Sequence, residues 1–156
     1  MSTFAKKFDS VRQDWTTPRI LFDQLNAEFL FQTDLAASKE NALCPKFFTA
    51  EEDGLKQTWS GSCWLNPPYG DKTSKMVDWI KKAWEDTQKD PALTVVMLIP
   101  ARTNTRWFHT YCMKAAEVRF ILGRPKFGGA THGLPQPLVF IVFKKSDTTV
   151  FTTFKL

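Results

Sequence analysis

Two apolar runs joined by an amphipathic segment set the terms on which this chain can fold. Residues 62–65 are short and strand-like, and residues 94–99 are continuously apolar, as expected of a strand covered on both faces. Between them Met76, Ile80, Ala83, Trp84 and Thr87 recur at helical spacing, with Val77 alongside, while Lys75, Lys81, Lys82 and Glu85 occupy other faces. A strand, a helix and a strand in that order form a right-handed parallel crossover by default. The expected class is therefore α/β with a mostly parallel central sheet. Further strands are predicted at 29–34, 117–122, 138–143 and 149–154, with an antiparallel hairpin in the C-terminal part. The chain of 156 residues reads as one domain over 14–156, preceded by a polar, flexible arm at 1–13. A chain of that size buries roughly two thirds of the surface it would expose unfolded.

The first strand of the crossover ends in Asn66-Pro67-Pro68-Tyr69-Gly70. Proline fixes its own φ and holds the residue before it extended, so Asn66 and Pro67 have little freedom. The Asn66 side-chain oxygen and the turn carbonyls are then fixed acceptors, which is what an exocyclic NH2 group needs. Two acceptors take both hydrogens, tilt the nitrogen out of conjugation and aim its lone pair at an electrophile. Tyr69 offers a ring face on which a planar base can stack, and Gly70 lets the chain turn. Asn, Pro and Gly also make ordinary strand-exit turns, so the motif is weighed with its surroundings.

Those surroundings carry more polar residues at strand ends. Thr17 is a good N-cap and Pro18 a good first helical residue, with Ile20, Leu21 and Leu25 giving the helix an apolar face. Asp34 ends a predicted strand and is followed by Leu35, Ala36, Ala37 and Ser38, small enough for close approach of a ligand to the backbone; ligands gather at carboxyl ends of strands in open α/β sheets. Glu51-Glu52-Asp53-Gly54 puts carboxylates before a glycine turn, where one could accept from a ribose or an amino group. Arg102 and Arg106 follow the second strand of the crossover, and Thr105 or Asn104 should cap a short helix there. Arg124 and Lys126 open a glycine-rich loop suited to approaching a nucleic acid backbone.

Composition excludes several classes. The longest apolar run, 95–99, is far too short to span a membrane, and the N-terminus has no signal-peptide apolar region. Cys44, Cys63 and Cys112 are an odd, scattered set without a Cys-x-x-Cys pair, which argues against a zinc site or disulfide framework and fits a reducing cytoplasm. A net charge of +5 suits a polyanionic partner.

Taken in order, these segments resemble the small phage-type DNA adenine N6-methyltransferases. The likeness runs through Trp15-Thr16-Thr17-Pro18, Asp34-Leu35-Ala36-Ala37-Ser38 with Glu40-Asn41, Phe47-Phe48-Thr49, Asp53-Gly54-Leu55 with Trp59, and the Asn66 turn. It ends with residues 100–108 and 123–129. The resemblance implies a Rossmann-like fold, S-adenosylmethionine (AdoMet) as methyl donor, double-stranded DNA as substrate, and no metal. It implies Asn66, Pro67, Pro68 and Tyr69 as the catalytic turn. Thr17, Pro18, Asp34, Ala36, Ala37 and Ser38 become cofactor residues, with Asn41 and Asp53 chosen from their own chemistry as further cofactor contacts. By charge and position Arg102 and Arg106 suit phosphate or cofactor and, with Arg124 and Lys126, are taken as DNA contacts. It further implies a phage- or prophage-encoded protein acting in the host cytoplasm. Against the larger adenine methyltransferases the chain lacks a Phe-x-Gly-x-Gly loop, and the short interval from Asp34 to Asn66 leaves two usual strands compressed or absent. Two rival readings stand beside it: an amino-methyltransferase for RNA or protein glutamine, and a DNA-binding protein without catalysis.

Overall fold

The computed structural model describes residues 17–68, 75–126 and 136–156. The predicted arm, Tyr69 and most of the glycine-rich loop lie outside those residues. The described strands are β1 (Thr33–Asp34), β2 (Lys46–Phe47), β3 (Ser62–Leu65), β4 (Thr94–Pro100), β5 (Glu117–Ile121), β6 (Leu138–Phe143) and β7 (Val150–Phe154). The described α-helices are α1 (Arg19–Phe29), α2 (Met76–Lys89) and α3 (Arg106–Thr110). The strands form one seven-stranded sheet in the order β2-β1-β3-β4-β6-β5-β7. Only β6 runs against its neighbours; the other pairings are parallel.

The crossover from β3 through α2 to β4 joins parallel neighbours, as the apolar pattern predicts. Alternation along the strands divides the core. Trp64, Val96, Leu98, Phe140 and Val142 face Leu21, Phe22 and Leu25 of α1. Cys63, Leu65, Val95, Met97 and Ile99 face Trp79, Ile80 and Ala83 of α2 and Phe108 of α3. Six of the seven residues of β4 are buried, which explains its unbroken apolar run. The antiparallel C-terminal pair is β5 with β6, and β7 lies parallel to β5 at the edge.

Two local expectations are corrected. The strand predicted at 29–34 is only Thr33–Asp34, because α1 continues to Phe29. Leu30 then takes a left-handed conformation (φ 51°) and its N–H bonds Asn26 O, while Asn26 Oδ1 accepts from Phe31 N at 2.8 Å. The apolar run Phe29-Leu30-Phe31 is thus a helix end folded onto the sheet, with Phe29 stacked on Phe31 at 5.7 Å. The second correction concerns Thr17, which does not cap α1: Pro18 occupies the N-cap position and no side chain caps there.

Candidate active site

Parallel pairing brings the carboxyl ends of four strands to one edge. Asp34, Phe47, Leu65 and Pro100 end β1 to β4 on the same side. β5 runs antiparallel to β6, which is antiparallel to β4, so Ile121 ends at that edge too. From β1 the sheet grows outward to β2, and from β3 it grows the other way to β4. The space beyond β1 and β3 is therefore the topological switch point, where open α/β sheets bind ligands. The Asp34 segment lines one side of that space and the Asn66 turn the other.

Asn66 leaves β3 directly after the buried Trp64 and Leu65. Its Nδ2 donates to Thr17 Oγ1 at 3.1 Å, and Thr17 is itself buried. Phe22 of α1 meets the Trp64 ring edge-on at 5.6 Å between centroids, so helix and turn are fixed to each other by packing as well. The Thr17-Pro18 segment and the Asn66-Pro67-Pro68 turn thus come together, a pairing that their separation in the chain does not announce.

The Asp34 segment is knit into the sheet. Leu35 N donates to Trp64 O (2.9 Å) and Ala37 N to Phe48 O (3.0 Å). Ala36 N reaches Asp34 Oδ1 (3.4 Å) and Ser38 N reaches Asn41 Oδ1 (2.7 Å). Every main-chain N–H from Leu35 to Ser38 therefore has a protein acceptor. The second Asp34 oxygen accepts from Leu43 N at 3.1 Å, tying the far end of the 35–43 loop back to β1. Burial pushes the Asp34 carboxyl up to about 6, opposed by the bonds from Leu43 and Ala36. Asp34 and Asn41 thus shape the loop, while Ala36, Ala37 and Ser38 stay partly exposed on it.

Asp53 has φ 53°, a conformation unusual for a residue with a side chain, and its Oδ1 accepts from Leu55 N at 3.1 Å. Its other oxygen lies 3.7 Å from Lys56 Nζ. Gly54 behind it is required by close packing: a Cβ there would collide with the Leu35 carbonyl and meet the Trp79 ring at 2.9 Å. The Gly54 carbonyl accepts from Trp59 Nε1 at 2.8 Å. Gly54 therefore seats the 53–56 turn against the end of β1. The turn signal in the sequence marked this glycine but not its contact.

At the end of β4, Thr105 caps α3 as expected, accepting from Phe108 N at 3.4 Å. His109 is an exposed helix residue whose Nε2 lies 2.7 Å from Thr103 O, bracing the 102–105 turn. Arg102, Arg106, Arg124 and Lys126 are all exposed; Arg102 and Arg106, the latter opening α3, follow β4, and Arg124 and Lys126 follow β5, at the edge that holds Asn66.

A crossover sheet of this order, with a proline-fixed amide beside a small-residue loop at its switch point, defines a Rossmann-like methyltransferase fold. Residues 5–149 match the family model described as DNA N-6-adenine-methyltransferase (Dam), and the chain belongs to that family. It is 37% identical over 116 residues to a DNA N-6-adenine-methyltransferase of Escherichia phage T1, a match covering 72% of this chain and 46% of that protein. It is 29% identical over 124 residues to a DNA N-6-adenine-methyltransferase of Haemophilus phage HP1 (strain HP1c1), covering 78% of this chain and 69% of that protein. The matched region is thus less than half the length of the phage T1 protein.

Proposed function

We propose that the chain transfers a methyl group from AdoMet to N6 of an adenine flipped out of double-stranded DNA in the host cytoplasm. The observation that carries this reading is the Asn66 amide, held against Thr17 at the carboxyl end of β3 at the switch point of the sheet.

The residues around the switch point suit the methyl donor. With the N–H groups of Leu35 to Ser38 already bonded, the segment meets a ligand through carbonyl oxygens and small side chains. Carbonyl oxygens accept from cationic donors, and the methionine end of AdoMet carries an ammonium and a sulfonium beside its carboxylate. Pro18, Ala36, Ala37 and Ser38 would hold that end, and Asp53 would accept from hydroxyl or amino groups of the nucleoside end. When bound, the cofactor supplies an electrophilic methyl group.

The chain's own residues act on the acceptor. Asn66 Oδ1 and the Pro67 carbonyl take the two N6 hydrogens, which turns the nitrogen lone pair outward. Tyr69 stacks on the base and repays part of the few kcal/mol that flipping costs. The exposed cations hold phosphates on either side and give the complex a salt-dependent affinity. Positioning and exclusion of water supply most of the acceleration, because the methyl group is reactive already. Supplying labelled AdoMet with DNA, RNA and protein substrates in parallel tests this reading: label in DNA as N6-methyladenine supports it, and label confined to RNA or protein refutes it.

A further inference from the structure

Thr17 has three unusual features together. It is one of four buried polar or charged residues among those described, with 6% of its surface exposed. It stands one residue ahead of Pro18, the N-cap of α1, and no side chain caps that helix. Its hydroxyl instead accepts from Asn66 Nδ2, 49 residues away, at 3.1 Å.

We infer that Thr17 is a positioning residue for the amine acceptor: its side chain holds the Asn66 amide in plane, and its contribution is to the methyl-transfer step rather than to cofactor affinity. This rests on the methyltransferase reading above and revises the cofactor role that the family resemblance suggests for this side chain. Pro18 keeps Thr17 extended, and α1 is locked to β3 through Phe22 and Trp64, so the hydroxyl is held in place before any ligand arrives. The amide is engaged by its nitrogen end, so the oxygen is the end opposite the threonine contact. A hydroxyl both accepts and donates. It can therefore rotate to donate to a carboxylate, and the same threonine would support aspartate at position 66.

The test measures AdoMet affinity by calorimetry and single-turnover methylation of unmethylated duplex DNA at saturating AdoMet. The proteins are the wild type, Thr17→Val, Thr17→Ala, Thr17→Ser, Asn66→Asp and Thr17→Val/Asn66→Asp. Thr17→Val and Thr17→Ala should each slow transfer about tenfold to a hundredfold, the range for a buried polar group that loses its partner. Their AdoMet dissociation constants should stay within about twofold of wild type, a change well under 1 kcal/mol. Thr17→Ser should recover most of the rate. Thr17→Val should cost Asn66→Asp at least as large a factor, since the carboxylate then loses its donor. Wild-type rates in Thr17→Ala, or equal rates in Thr17→Ala and Thr17→Ser, would overturn the inference. So would weakened AdoMet binding with an unchanged rate at saturation, which would make Thr17 a cofactor contact. If Thr17→Val fails to fold, the Ala and Ser pair decides alone. A wild type that transfers no methyl to DNA would sink the functional reading itself, and this inference with it.

Discussion

Gly54→Ala tests whether the 53–56 turn and the Asp34 loop, proposed to hold AdoMet, are one packed unit. The added methyl would run into the Leu35 carbonyl, which belongs to the backbone at the end of β1 and cannot swing aside as a side chain can. On its other flank lies the Trp79 ring, buried and stacked on Trp59 at 6.2 Å between centroids. Overpacking of this kind costs about 1–3 kcal/mol. Replacing glycine returns roughly 0.4–1 kcal/mol through the unfolded chain, because φ at Gly54 is not in the left-handed region. The net loss should be about 1–2 kcal/mol. For a chain of this size that lowers the melting midpoint by roughly 2–8 °C. Leu35 leads directly into Ala36 and Ala37, so displacing its carbonyl should also weaken AdoMet binding severalfold. Gly123→Ala is the control: its φ of 95° makes the substitution strained, but nothing lies within 4 Å of the new methyl. It should lower stability by about 1–2 kcal/mol and leave AdoMet affinity unchanged. Calorimetric affinities and thermal melts of the two variants decide the matter. Wild-type AdoMet affinity in Gly54→Ala, or equal loss in both variants, would refute the argument.

Other expectations follow from the same site. Asn66→Ala should slow methyl transfer roughly a hundredfold to a thousandfold, whereas Asn66→Asp should retain more activity because a carboxylate also accepts from an amine; equal losses would count against an acceptor role. Asp34 binds its proton more tightly folded (about 6) than its ordinary 3.8, so its contribution favours the native state at low pH and is lost as pH rises from about 4 to 6. Urea titrations should therefore show wild type losing on the order of 3 kcal/mol relative to Asp34→Asn between pH 4 and 7, and a constant or rising difference would contradict the burial argument. Arg102→Ala/Arg106→Ala should flatten the dependence of log DNA affinity on log salt by about 2, one counterion per phosphate contact. An unchanged slope in filter-binding titrations would remove both arginines from the DNA face.

The larger architecture was legible because it rests on local periodicity. The helical spacing from Met76 to Thr87 and the unbroken run of β4 predict a parallel crossover, and the Asn-Pro-Pro turn falls where that crossover opens. Legibility failed where tertiary packing overrode local preference. Phe29-Leu30-Phe31 looks like a strand, but Leu30 turns left-handed so that α1 can end, with Phe31 packed against Trp64 and Phe29 stacked on Phe31. The two-residue strand β2 is too short to show alternation and is held by its pairing to β1. Within the site, Asp34 was identifiable as a strand-end carboxylate, yet its role in bonding Ala36 and Leu43 depends on a loop closing back on it. The Thr17–Asn66 bond joins residues with no common period, and only the docking of α1 on β3 brings them together.

The most direct measurement is nucleoside analysis of unmethylated duplex DNA after incubation with the pure protein and methyl-labelled AdoMet. Label recovered as N6-methyladenine, and lost in Asn66→Ala while that variant still binds AdoMet, is the predicted result. Cofactor binding without any labelled base in DNA, or full labelling by Asn66→Ala, would contradict the account.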